Sequence, residues 1–157
     1  MCLEILIKRM TDKILERIFT DTSIWESEIH GLSHWQRVEE NGLMLADVSG
    51  ADRRVISYFA YIHDCQRWNE DDDPEHGPRA AAYAEKNRNL IDLSEEQFCK
   101  LVDACTDNTF AMPSDYPLVD ITLATCWDAD RLDIGRVGLT LDSKYLFTNF
   151  AKDFCDL

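Results

Sequence analysis

The chain has no C-x-x-C pair, no long apolar run and no surplus of positive charge. Each absence removes a class of protein. Its six cysteines stand far apart, at Cys2, Cys65, Cys99, Cys105, Cys126 and Cys155. Structural zinc sites use short, paired spacings and secreted disulfide scaffolds follow a leader peptide, and neither pattern shows here, so these cysteines read as reduced, mostly buried thiols that ligate no metal. The opening stretch Cys2–Ile7 is apolar but interrupted by Glu4, with Lys8 after it and no small-residue cleavage site. Nothing approaches the roughly 20 apolar residues of a spanning helix, so the expectation is a soluble, cytoplasmic protein without membrane association. Basic residues number 16 against 30 acidic ones, a net charge of −14. A surface of that sign repels a phosphate backbone, which excludes a nucleic-acid polymer as partner. It also means that a small anionic substrate needs a local cation, either a metal or clustered arginines.

Glycine and proline are scarce too, with six and four residues respectively, and they fall where helices should stop. Between them the apolar residues recur at helical spacing. Ile14, Leu15, Ile18 and Phe19 mark a helix over 11–19. A second should begin near His30–His34 and run through Val38, Leu43 and Leu45 to about Asp47, stopped by Ser49-Gly50. A third runs from Ala51 to about Asp64, with Val55, Phe59 and Ile62 on one face. Pro78 suits the first turn of a helix through Arg79–Asn87. Ser94-Glu95-Glu96-Gln97 is a capping box opening a helix to about Cys105, and a last one, after Pro117, carries Ile121, Thr125 and Leu132. No alternating run marks a strand. At 157 residues and 45% apolar content, the expectation is one compact all-α domain spanning the chain.

The chemistry lies in a few histidines and their neighbours. His63 and Asp64 are adjacent, at the end of an apolar helix and before the polar stretch Gln66-Arg67-Trp68-Asn69-Glu70. Successive helical residues point about 100° apart, so both can reach one ion only where the helix ends or distorts. One imidazole and one carboxylate suit a divalent ion such as Mn, Fe, Co, Ni, Zn or Mg. His34 on the preceding helix and Asp130 on the last long helix could complete the set. Taken singly, each such residue is more often a satisfied core or surface group.

Taken together, His34-Trp35-Gln36-Arg37-Val38, then Tyr61-Ile62-His63-Asp64, then Asp128-Ala129-Asp130-Arg131-Leu132-Asp133 resemble, in order and spacing, the H…HD…D signature of the HD-domain superfamily of metal-dependent phosphohydrolases. His30-Gly31, the segment from Asp73 to Ala81 and Trp127–Asp133 look like a branch of small bacterial HD hydrolases. Asp-Ala-Asp-Arg-Leu is also similar to a stretch of the stringent-response alarmone hydrolases, which selects Asp130 over Asp128. The resemblance covers about residues 22–151. It implies a helical bundle in which His34, His63, Asp64 and Asp130 hold a metal whose water attacks a phosphoester, with Asp64 and Asp130 as the catalytic carboxylates. Asp64, or a nearby carboxylate such as Glu70, would assist proton transfer. Arg37 lies one turn after His34, Arg67 follows the HD pair and Arg79 follows His76. Each could grip a phosphate with its planar fork.

The sequence departs from that pattern at one place. Two-metal members commonly add a histidine near the position of His76 and another in a segment reading Ala-Cys-x-x-His. Here that segment is Ala104-Cys105-Thr106-Asp107-Asn108. The expectation is therefore one tightly held ion, with His76 left for substrate or a weak second metal. The substrate would be a small phosphorylated molecule, a nucleotide being one candidate. Two rival readings remain open: a degenerate HD module that binds metal or nucleotide in signalling without hydrolysis, and a helical interaction protein using its acidic face. Neither substrate identity nor oligomeric state follows from the sequence.

Overall fold

The computed structural model describes residues 3–155, and among these it is all-helical, without strands. The helices are α1 (Leu3–Asp21), α2 (Leu32–Ser49), α3 (Arg53–Ile62), α4 (His76–Lys86), α5 (Glu95–Asp107), α6 (Ile121–Arg131) and α7 (Asn149–Cys155), with four short 3-10 turns between them. None is long and apolar enough to cross a membrane.

The arrangement is organised around α3. Every residue from Val55 to Ile62 is buried, and this helix touches α1, α2, α4, α5 and α6. A helix apolar on all sides is a core element rather than a surface one. Its two tyrosines satisfy their hydroxyls at the edge of the bundle: Tyr61 donates to Glu39 at 2.5 Å and Tyr58 accepts from the Asp92 amide at 2.9 Å. Asp52 starts α3 by accepting from the Arg54 and Val55 amides at 2.9 and 3.3 Å. The same residue accepts from Gln97 Nε2 at 2.8 Å and donates its own amide to Thr122 Oγ1 at 3.0 Å. One N-cap thus ties α3 to α5 and α6.

Two glycines set how closely the helices carrying the histidines approach. At Gly42 in α2, a Cβ would sit 2.5 Å from Ile56 Cγ2 and 3.3 Å from Ala129 Cβ, so α2 crosses α3 and α6 with almost no side chain between. At Gly77 in α4, a Cβ would meet the Cys105 carbonyl oxygen at 2.4 Å and the Thr106 carbonyl oxygen at 3.2 Å. The capping box opening α5 forms in both directions, Ser94 with the Gln97 amide and the Gln97 side chain with the Ser94 amide.

Two elements differ from the sequence expectation. Helix α1 runs from Leu3 rather than from Thr11, because Glu4 and Lys8 do not break a helix. Helix α7 had no periodic signal of its own and is anchored from outside. Asp128 of α6 accepts from the Phe147 and Thr148 amides at 2.8 Å each and from the Thr148 hydroxyl at 2.7 Å.

Because the atoms facing Gly77 are backbone, they cannot swing aside. Gly77→Ala should cost about 2 kcal/mol and lower the thermal midpoint by roughly 6 °C for a chain of this size. A melting curve equal to the parent's would show that α4 and α5 are not held this closely.

Candidate metal centre

Helix α3 ends in a way that turns two successive residues towards one space. The His63 amide still bonds the Phe59 carbonyl at 2.9 Å, but the Cys65 amide bonds Ile62 at 3.0 Å and the Arg67 amide bonds Asp64 at 3.2 Å. This tightening to three-residue closure carries Asp64 off the helical path. Both residues are buried.

The hydrogen bonds of the histidines define which nitrogen each presents. His63 Nδ1 lies 3.0 Å from the Ala60 carbonyl and 3.2 Å from that of Phe59. A carbonyl only accepts, so Nδ1 carries the hydrogen and Nε2 presents a lone pair. His34 Nδ1 donates to Asp133 Oδ2 at 2.7 Å, and Arg37 Nε holds the other Asp133 oxygen at 2.8 Å. Its Nε2 therefore presents a lone pair as well. The two Nε2 atoms face each other at 3.2 Å.

Asp130, at the end of α6, brings a third acceptor. Its Oδ1 lies 3.2 Å from His34 Nε2 and 3.5 Å from His63 Nε2. That oxygen is buried and takes no hydrogen bond, while Oδ2 accepts from Asn108 Nδ2 at 3.1 Å. His34, His63 and Asp130 form a group whose ligand atoms lie close enough together to hold a metal ion. Asp64 Oδ2 stands 3.7 Å from both Nε2 atoms. Three or four buried acceptors converging this closely repel one another unless a proton or metal lies among them. The donor set, two imidazoles and carboxylates with no thiol, fits a divalent ion of borderline or harder character.

The electrostatics agree. Burial would raise the Asp64 and Asp130 pKa values, but the adjoining histidines, His63 foremost, outweigh it and hold both carboxyls well below the usual range. Burial would lower His63, yet Asp64 and Asp130 raise it above the ordinary imidazole value. The site thus favours bound positive charge.

Around this centre lies a second ring of residues. His76 Nδ1 sits 2.6 Å from the Asp73 carbonyl and its Nε2 3.2 Å from Asp64 Oδ1. Burial lowers the pKa of His76 and so favours a neutral ring. Arg67 is half-buried, with Nη1 3.7 Å from Asp64 Oδ1 and Nη2 donating to the Asp71 carbonyl at 2.7 Å. Arg37 reaches the centre only through Asp133. Arg79 is engaged elsewhere: its Nε donates to the Gln66 carbonyl at 3.1 Å, it pairs with Asp73, and its guanidinium lies 3.9 Å over the Trp68 ring. Asp128 points away from the cluster, to the start of α7. Glu70 touches the rim, where its backbone carbonyl lies 3.2 Å from His30 Nε2.

Four residues at the site had been given no role from the sequence. His30 Nδ1 contacts Asp64 Oδ2 at 3.1 Å. Asp133 orients His34, and Asn108 holds Asp130. Arg136 places Nη2 3.8 Å from Asp130 Oδ1 while donating to the Ile29 carbonyl at 2.9 Å. Asp133 and His30 each lie within a turn's spacing of a candidate ligand, a usable signal; Arg136 gave none. Among the described side chains, Cys65, Cys99, Cys105 and Cys126 are unpaired thiols. Burial pushes the thiol pKa values of Cys65, Cys105 and Cys126 upward, as expected of inert core residues. Cys2 and the Cys155 side chain lie outside the described part.

No family model, no curated protein and no solved structure matches the chain.

The two aspartates of α6 should separate cleanly on substitution. Asp130→Asn should weaken metal binding by more than about 100-fold, beyond the 10- to 100-fold typical of losing an outer partner. Asp128→Asn should keep the metal but lose about 2 kcal/mol of stability, since three donors converge on that carboxylate. Isothermal metal titration and thermal melts of both variants test this. Loss of metal in Asp128→Asn alone would reverse the assignment.

Proposed function

We propose that the chain is a metal-dependent phosphohydrolase of the HD-domain type, acting on a small phosphorylated molecule. The observation that carries this reading is the pair of facing Nε2 atoms at 3.2 Å, closed by the buried, donor-free Oδ1 of Asp130. His34, His63, Asp64 and Asp130 hold the ion. When bound, that ion lowers the pKa of water and neutralises charge developing on a phosphoryl group.

The protein supplies the rest. Asp133 and the carbonyls of Phe59 and Ala60 lock the two rings in the ligating tautomer. Asp64 is oriented by His30 on one oxygen and faces His76 on the other, so it stays ionised and fixed in direction beside the ion. Arg67 and Arg136 flank the cluster on its Asp64 and Asp130 sides. They give a chain of net charge −14 the local positive field that a phosphate requires. His76, neutral and beside Asp64, serves substrate or water rather than the tight metal.

The test is metal analysis joined to a hydrolysis panel of phosphomonoesters and nucleotides. The expected result is one tight ion per chain and hydrolysis that is lost on chelation and restored by Mn or Co. His76→Ala should cut turnover at least tenfold while leaving the ion in place. A loaded chain that hydrolyses nothing on the panel would instead support a degenerate HD module binding metal or nucleotide in signalling.

A further inference from the structure

We infer that the cleft beside the metal centre, lined by Met112, Ile134, Leu139, Leu141 and Tyr145, takes the uncharged, apolar organic part of a phosphomonoester. This rests on the reading of the centre as a phosphate-ester site. The cleft has a volume of about 470 Å³, within the roughly 300–1,000 Å³ of small-molecule pockets.

Its position relative to the centre follows from the chain. Thr109 lines the cleft, and its Oγ1 lies 3.5 Å from Nδ1 of His76, whose Nε2 faces Asp64. Thr109 follows Asn108, which holds Asp130. Arg131 follows Asp130, and Ile134 follows Asp133. Three residues of the lining are therefore chain neighbours of three residues that build the centre. His76 and Thr109 thus link Asp64 to the cleft, and an ester group on a phosphate at the centre would reach this space by way of these two side chains.

The chemistry of the lining selects what that group is. Two charged residues border the cleft, and the protein already occupies both. Arg131 donates Nη1 to the Tyr145 carbonyl at 2.6 Å and Nη2 to the Ala111 carbonyl. The carboxylate of Asp142 pairs with Lys144 at 2.9 Å and accepts from the Lys144 amide at 3.0 Å. No free cation of the lining remains for a second phosphate, so what the cleft offers a ligand is apolar surface. An aryl or alkyl ester, or a nucleoside presenting its base here, matches it, whereas a pyrophosphate tail does not.

The test compares the dissociation constants of naphthyl phosphate and methyl phosphate on the Mn-loaded chain by calorimetry. The parent should bind naphthyl phosphate at least tenfold more tightly. Met112→Ser with Leu139→Ser, and separately Thr140→Trp to fill the cleft, should each reduce that preference to less than threefold and leave methyl phosphate unchanged. Thr140 is exposed, so the filling variant tests the cleft without touching the core. Equal affinity for the two esters in the parent, or an undiminished preference in the folded variants, would overturn the inference. A naphthyl preference that persists in the parent without any metal-dependent hydrolysis would uphold the cleft and reject the hydrolase reading.

Discussion

Two buried imidazole nitrogens pointing their lone pairs at each other is the constraint on which the centre depends. His34 and His63 are each fixed by a hydrogen bond at Nδ1, one to a carboxylate and one to backbone carbonyls. Neither ring can turn its N–H inward without losing that bond. The carboxylate of Asp130 adds negative charge to the same small volume. A proton or a metal cation among them relieves that repulsion, and the fold brings together a group able to hold a metal ion.

The bundle is arranged to bear that cost. The central helix α3 is buried from Val55 to Ile62 and ends at the cluster, so His63 and Asp64 are delivered by the most enclosed stretch of the fold. Gly42 lets α2 and α6 close on it, bringing His34 and Asp130 from either side. Asp128 has a different task on the same helix, since it spends its carboxylate on pinning Phe147 and Thr148. Two aspartates, two residues apart, thus serve the centre and the scaffold respectively. Their directions follow from α6, which turns them about 200° from each other.

Much of this could be read in the sequence. The capping box at Ser94, a helix carrying Val55, Phe59 and Ile62 and its ending at His63-Asp64 follow from local chemistry and are present; that this helix is buried on every side from Val55 to Ile62 was not legible, since only one apolar face was expected. The less legible parts depend on distant contacts. Helix α7 is seven residues long and is held by Asp128, so its own pattern could not announce it. Arg136 reaches the centre because the 3-10 turn after Asp133 folds back towards Ile29. Arg79 looked free to meet a phosphate, yet the loop after α3 places Asp73, Gln66 and Trp68 around it. Asn108, read first as an absent histidine, is an outer partner of Asp130. Its amide keeps one carboxylate oxygen occupied and the other turned to the cluster.

In the proposed centre, two imidazoles and carboxylate oxygen, and no sulfur, surround a single ion. X-ray absorption on the Zn-loaded chain measures this directly. Two imidazole rings with Zn–N at about 2.0–2.1 Å are expected, with the remaining ligands oxygen. A sulfur shell near about 2.3 Å, or a spectrum with fewer than two imidazoles, would contradict it.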